Sequence, residues 1–494
     1  MLTDAGASIG RRAMDSALWA LAALGAYRAL AFATTVVLAR LLDPADFGTV
    51  SFAMVLIGAL TLLQDLGVPA SIIFSHRPAR ELAGTALTMN LAAALVLFAA
   101  TALGAPVLAD FTRQPAIGPV AAFLALGLVI SSIGSFQGAL LEKEMAFRRK
   151  FLPDVVPLLT SGLTSILLAL RGFGAWSLVI GYLVRMSSAT LLLWCLSPIR
   201  PRPELNWSAA VELFRYGRHA SLNSIVGFAQ SNVDYVLVGW LLGSADLGLY
   251  TLAFTIGTLP ITVSSEVVAR VSFPALSTLR ADSRGLVELF LRVFSVVSWL
   301  SLLASSMLFV AAPAFAPIVL GHKWDGIVPP LQVLATFAFV GSIGYTLPAA
   351  FKAVGRPDVL WKMSLLRLVL LPPLMIALLP LGVSGVALAQ VIVHTLSLPL
   401  AIAWLARTLH FPIVRVARAI APPLVATIVM VGLIASVYAL PQPMQLRESP
   451  VVALGLMAAL CAAYLLVLRA FHPRVVAVGQ ASVISILRSQ RATA

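Results

Sequence analysis

Eight ionisable residues, Arg28, Asp65, Asp154, Arg185, Asp234, Glu266, Arg270 and Arg367, stand inside long apolar stretches. A charge at the centre of a bilayer costs roughly 2.5–3.5 kcal/mol even on insertion scales, so such residues face protein or a wet cavity and mark functional sites or buried pairs. Asp154, Arg270 and Arg367 fall near the ends of their stretches and can snorkel to the surface. Arg28 and Arg185 fall near the middle. A cavity lined by those two guanidinium groups attracts an anion, and the planar donor fork suits a phosphate.

A second set of polar residues shares one helical face. Asn223, Gly227, Gln230 and Asp234 recur at i, i+4, i+7 and i+11, a stripe that lipid does not reward and that must meet protein or water. Asp65 and Glu266 hold roughly corresponding places one repeat apart and are candidates for ion coupling. Glu266 also precedes Arg270 by four residues, the favourable order for a local salt bridge. His394 is a lone histidine best satisfied by a neighbour. Asp46 and Asp246 fit as caps of the helices that follow them.

The elements that position these groups are membrane spans. Of the 494 residues 60% are hydrophobic and 11% charged, with a mean hydropathy of +0.97. That composition excludes a soluble domain of this length. With roughly 20 apolar residues needed per span, about fourteen are expected: 17–42, 47–76, 81–109, 115–141, 151–171, 174–197, 218–243, 247–275, 286–312, 327–353, 359–380, 384–407, 415–440 and 450–470. The first follows Arg11-Arg12 but is too long for a signal peptide and encloses Arg28, so it is expected to remain as an anchor.

The chain also repeats itself. Leu41-Leu42-Asp43-Pro44-Ala45-Asp46-Phe47-Gly48 returns as Leu241-Leu242-Gly243-Ser244-Ala245-Asp246-Leu247-Gly248, Ser132-Ile133-Gly134 as Ser342-Ile343-Gly344, and Gly172 as Gly382. Order and near-constant offset together predict two homologous six-span halves, the arrangement from which transporters build alternating access. We therefore expect an N-terminal lobe over 1–197, a cytoplasmic linker over 198–217, a C-terminal lobe over 218–410, and an extra helix pair with a basic tail over 411–494. Within the linker, Trp207, Val211 and Phe214 alternate with Glu212, Arg215 and Arg218, which predicts either a short helix lying on the membrane surface or a solvated connection.

The net charge of +14 suggests nucleic acid until its placement is followed. Arg77 and Arg80, Lys143 and Arg148 to Lys150, Arg200, Arg202 and Arg215, Lys352 and Arg356, and Arg415 and Arg418 all fall in even-numbered connections. The odd connections keep only Arg40, Arg113, Arg171, Lys323 and Arg447. The positive-inside rule then puts both termini in the cytoplasm. Cys195 and Cys461 lie within spans, and no HExxH, CxxC or Walker motif occurs, so no metal, cofactor or catalytic centre is expected.

The run Ala39-Arg40-Leu41-Leu42-Asp43-Pro44-Ala45-Asp46-Phe47-Gly48, the following Asp65-Leu66-Gly67, and Asn232-Val233-Asp234 ahead of Leu241-Leu242-Gly243 resemble bacterial polysaccharide-transport proteins. These are the oligosaccharide (O-antigen or exopolysaccharide) flippases of the multidrug/oligosaccharidyl-lipid/polysaccharide exporter superfamily. The resemblance spans about residues 15–410. It implies an all-α integral membrane protein with two pseudo-symmetric lobes around a central cavity, in the bacterial inner membrane. It also implies movement of an undecaprenyl-pyrophosphate-linked oligosaccharide to the periplasmic leaflet for lipopolysaccharide or exopolysaccharide biosynthesis. It implies that cavity arginines hold the pyrophosphate, a role Arg28 and Arg185 would fill, while the polar stripe read from spacing makes Asn223, Gln230 and Asp234 further substrate-binding candidates. Membrane lipids, a polysaccharide polymerase and export machinery would be its partners. The rival reading is a cation-coupled multidrug antiporter of the same superfamily. A polymerase or ligase is disfavoured because every outward connection is short.

The charge asymmetry predicts a definite orientation. Alkaline phosphatase fused after Arg113 is expected to be active and after Lys150 inactive, and the reverse pattern would overturn it.

Overall fold

We describe a computed structural model over residues 27–65, 68–74, 77–144, 147–262 and 282–439, with single positions at 455, 458 and 462. Every regular element among the described residues is helical, as an apolar solvent requires when no water is at hand to satisfy a free backbone group. In chain order they are α1 (27–41), α2 (Pro44–Asp65), α3 (Val68–Phe74), α4 (Ala79–Thr112), α5 (Ile117–Lys143), α6 (Phe147–Leu170), α7 (Ala175–Leu196), α8 (Trp207–Leu241) and α9 (Ser244–Gly257), then α10 (Ser283–Phe315), α11 (Val328–Gly344), α12 (Leu347–Ala353), α13 (Asp358–Leu378), α14 (Gly382–Leu409) and α15 (Val414–Ala439). Eight helical stretches here are long and apolar enough by themselves to cross a membrane. The expected fourteenth span, the basic tail, Glu266, Arg270 and Cys461 lie outside the described residues.

The chain divides into two units. The first comprises residues 1–228 and 239–248, the second 229–238 and 249–494. In the first, Val50, Ala53 and Ile57 of α2 pack with Leu124, Ala125 and Leu128 of α5 and Val179 of α7. A neighbouring cluster joins Val68 and Ile72 of α3, Leu82 and Ala86 of α4 and Phe136 and Leu140 of α5 to Ala209 and Leu213 of α8. In the second, Phe290, Phe294 and Val297 of α10 pack with Ile343, Leu347 and Phe351 of α11 and α12 and with Ile402 and Leu405 of α14. Since lipid tails are as apolar as leucine, close backbone approach must hold such helices together, and it falls at small residues. A Cβ on Gly181 of α7 would overlap Ser165 Oγ of α6, and one on Gly118 of α5 the Ala105 carbonyl of α4. The repeated glycines Gly172 and Gly382 both end turns, with φ of 79° and 60°, a left-handed conformation that a side chain would strain.

One expectation needs correction. The stretch near Trp207 is not a separate surface helix: α8 is one helix of 35 residues, and the polar connection ends at Asn206. Asn206 Oδ1 caps it by accepting from the Ser208 amide at 3.0 Å, while Thr85 accepts from the Asn206 amide at 3.0 Å and Arg77 pairs with Glu212 at 2.8 Å. These bonds and the burial of Ala209 and Leu213 give α8 reason to begin there. At 1.5 Å per residue it is roughly 52 Å long, more than the 40–45 Å of a whole bilayer. Its first turns therefore stand at the membrane surface, and Trp207, at 75% exposure, points outward with Val211 and Phe214, as interfacial aromatic residues do. Asp46 caps its own helix as expected and does more: its carboxylate accepts from the Asp43 amide at 3.1 Å, closing the first turn of α2, and from the Ala175 amide at 3.0 Å at the start of α7.

The two repeated turns meet within the first unit. A Cβ on Gly48 would overlap the Ser244 carbonyl, and one on Gly248 the Pro44 carbonyl. The contact is reciprocal, backbone on backbone, at equivalent positions of the repeat. Gly48→Ala or Gly248→Ala should therefore cost about 1–3 kcal/mol through overpacking, whereas Gly104→Ala in α4, with nothing within 4 Å of the added carbon, should be neutral or slightly stabilising. Heating the purified variants and measuring the remaining monodisperse protein separates the cases, and equal melting of all three would refute so tight a crossing.

Candidate functional site

Arg28 and Arg185 come from the first unit. Arg185 is ten residues beyond the start of α7, roughly 15 Å along the helix axis, and so near the middle of a 30 Å core. Its Nη2 donates to the hydroxyl of Tyr27 at 3.3 Å, the residue preceding Arg28 on α1. The bond brings the two helices together at the depth of both arginines. Arg185 is exposed and Arg28 half-buried. One turn nearer the basic end of α7, Ser188 and Thr160 share a hydrogen bond of 3.2 Å that ties α7 to α6. Asp154 on α6 lies within electrostatic reach of Lys150, Glu142 and Arg185, and Lys150 is paired with Glu142. The arrangement offers an exposed guanidinium at mid-depth with a hydroxyl partner.

Asp234 is built differently. It is 1% exposed. Its Oδ2 accepts from the Tyr250 hydroxyl of α9 at 2.6 Å and from Gln390 Nε2 of α14 at 2.9 Å, while Oδ1 is buried without a hydrogen-bond partner. Tyr235 meets Tyr250 edge-on at 5.5 Å, and Tyr250, Phe254, Phe337 and His394 continue as ring contacts through the second unit. His394 Nδ1 lies 3.0 Å from the Gln390 carbonyl, so this histidine is satisfied by a neighbour as expected. Arg367 does not snorkel. Its Nε donates to Ser397 Oγ at 2.9 Å, turning the guanidinium into the α13–α14 pair.

The other sequence candidates scatter. Gln230 is half-buried on α8, and the position beside Gly227 is open, with nothing within 4 Å of an added carbon. Asn223 belongs to α8, its side chain lying outside the described set. Asp65 is half-buried at the last residue of α2, next to Gln64, which donates to the Leu128 carbonyl at 3.2 Å. Sequence reasoning missed Tyr250, Gln390 and Ser397. A signal for the last two was present, since Gln390, His394 and Ser397 follow the same i, i+4, i+7 rule as the α8 stripe. Among the described residues no cluster of His, Cys, Asp or Glu could hold a metal ion.

The Asp234 carboxylate depends on both of its donors, because a buried acceptor that loses a partner cannot turn to water. Tyr250→Phe should cost about 1–3 kcal/mol of stability. Thermal unfolding of the purified variant measures this, and an unchanged transition would show that Gln390 alone satisfies the carboxylate.

The model of the "Polysaccharide biosynthesis protein" family matches residues 37–329. The chain is 26% identical over 393 residues to the lipopolysaccharide biosynthesis protein WzxC of Escherichia coli (strain K12), covering 79% of this chain and 80% of that one. It is 26% identical over 348 residues to the succinoglycan biosynthesis transport protein ExoT of Rhizobium meliloti (strain 1021), covering 69% of each. Among solved structures it shares the fold of the lipid II flippase MurJ in an inward closed conformation, with a TM-score of 0.68, 14% identity, and coverage of 92% of this chain and 98% of that one. The match to the family model takes in more than half of the residues, and the chain belongs to the polysaccharide biosynthesis protein family.

Proposed function

We propose that this chain is a flippase, not an enzyme, that moves an undecaprenyl-pyrophosphate-linked oligosaccharide from the cytoplasmic to the periplasmic leaflet by alternating access. The observation that carries the reading is the family match, joined by relatives named for lipopolysaccharide biosynthesis and succinoglycan transport. Those relatives, named for polysaccharide biosynthesis and transport, support a lipid-linked cargo over the soluble cations of an antiporter. Its place is the bacterial inner membrane with both termini cytoplasmic, and a polysaccharide polymerase with export machinery is the natural recipient of its product.

In this reading Arg28 and Arg185 take the pyrophosphate. Charge-assisted, bidentate guanidinium–phosphate bonds are both stronger and more directional than those of an ammonium. Tyr27 accepts a hydrogen bond from Arg185 and draws it toward α1. Asn223 and Gln230 offer neutral hydrogen bonds along α8, and Asp234 keeps that helix seated through Tyr250 and Gln390. Asp65 and Glu266 are the carboxylates we assign to ion coupling. The polar connection before α8, ending at Asn206, joins the two lobes.

Arg28→Lys and Arg185→Lys are each expected to impair glycan export at least several-fold in a strain lacking the native gene, with normal protein levels in the membrane. Full complementation by Arg28→Ala and by Arg185→Ala would remove both from the site.

A further inference from the structure

Five carbonyls in one stretch of α5 hold a hydrogen-bond donor besides the helix's own amides. Leu128 accepts from Gln64 Nε2 of α2 at 3.2 Å and from Ser131 Oγ at 3.1 Å. Val129 accepts from Ser132 Oγ at 2.7 Å, and Ser132 from Ser135 Oγ at 3.0 Å. Ile130 accepts from Thr190 Oγ1 at 3.0 Å and Ile133 from Trp194 Nε1 at 2.8 Å, both on α7. Serine back-bonding of this kind loosens and bends helices, and the donors from α2 and α7 would still satisfy their carbonyls if the turn opened. In a membrane that matters, because an abandoned carbonyl has no water to turn to.

The stretch contains Ser132-Ile133-Gly134, the tripeptide repeated as Ser342-Ile343-Gly344. In the second unit the helix is interrupted there by a two-residue turn, Tyr345 and Thr346, whose backbone stays right-handed. Helix α11 ends at Gly344 and α12 begins at Leu347, with the Thr346 hydroxyl donating to the Ile343 carbonyl at 2.8 Å. Pro348 enforces the break, since it has no N–H to offer the Gly344 carbonyl four residues back. The first half carries Gly138 at the matching position, so there the same motif lies within the unbroken helix α5.

We propose that α5 is a switchable hinge at Ser132–Gly134, opening and closing during transport, and that the proline-fixed turn between α11 and α12 is its static counterpart. The device holds whatever substrate is carried. Thr190 and Trp194 favour the open form by keeping the Ile130 and Ile133 carbonyls bonded.

Amide hydrogen exchange at single-residue resolution tests it on the full chain in nanodiscs of phosphatidylethanolamine and phosphatidylglycerol. The amides of residues 134–137 should exchange about tenfold or more faster than those of 121–125 in the same helix. Thr190→Val and Trp194→Phe should each slow exchange at 134–137 by up to about tenfold, the worth of one net hydrogen bond. A merely structural role for these side chains predicts the opposite sign, because losing a packing contact would loosen α5. Uniform protection along α5 in the wild type, or faster exchange in the variants, would overturn the hinge.

Discussion

A backbone amide in hydrocarbon has no solvent to fall back on, and nearly every feature of this chain follows from that. It makes each described element a helix and confines irregular backbone to the ends of spans or to places where side chains replace lost partners. It also explains why serine and threonine hydroxyls within the spans so often bond carbonyls three or four residues earlier, as Thr61 does to Ile57 and Thr258 to Phe254. Lipid gives helices no hydrophobic reason to associate, so the tight crossings fall to glycine, alanine and serine. The reciprocal approach of Gly48 and Gly248 is the strictest instance, with carbonyl oxygens where side chains would otherwise stand.

The same constraint sorts the intramembrane charges by what surrounds them. Asp234 is enclosed by two donors and a run of rings, and its burial ties three helices of the second unit through a single carboxylate. Arg367 is pinned by a serine that is itself 1% exposed. Arg185 has one long bond to a tyrosine and stays exposed. A group already saturated by protein has little left for a ligand, whereas Arg185 keeps most of its donor fork available. That difference in saturation is the physical ground on which Arg185 is proposed for anion binding.

Much of this was readable from the amino acids because membrane spans are the strongest signal a sequence carries. Helix placement followed from runs of apolar residues, and the repeat located equivalent turns, including the positive φ shared by Gly172 and Gly382. What could not be read was partnership across long separations. Local rules found the part Asp46 plays at the start of its own helix, but nothing near it announces that the same carboxylate also accepts from an amide 129 residues on. The start of α8 was misplaced for a related reason. The amphipathic pattern from Trp207 to Phe214 is that of a surface helix, and only the tertiary bonds to Thr85, Thr88 and Arg77 show it to be the end of a span. Tyr250 was passed over because an aromatic residue in an apolar run is usually core packing, and its hydroxyl acquires meaning only beside Asp234.

Repeat symmetry lets one half explain the other where the two have diverged. Both halves keep a Ser-Ile-Gly motif, but a proline four residues after the glycine in one and a glycine there in the other change what that motif does. Proline removes a donor permanently, so the second half must end its helix and restart it. Glycine leaves the donor in place while lowering the cost of losing helical geometry, so the first half keeps a helix whose carbonyls already hold alternative partners. Two lobes that began as copies need not move alike. In the proposed hinge the two copies would differ in one respect that the sequence shows directly: proline at 348 fixes the interrupted turn, whereas glycine at 138 leaves the amide that a reversible turn needs.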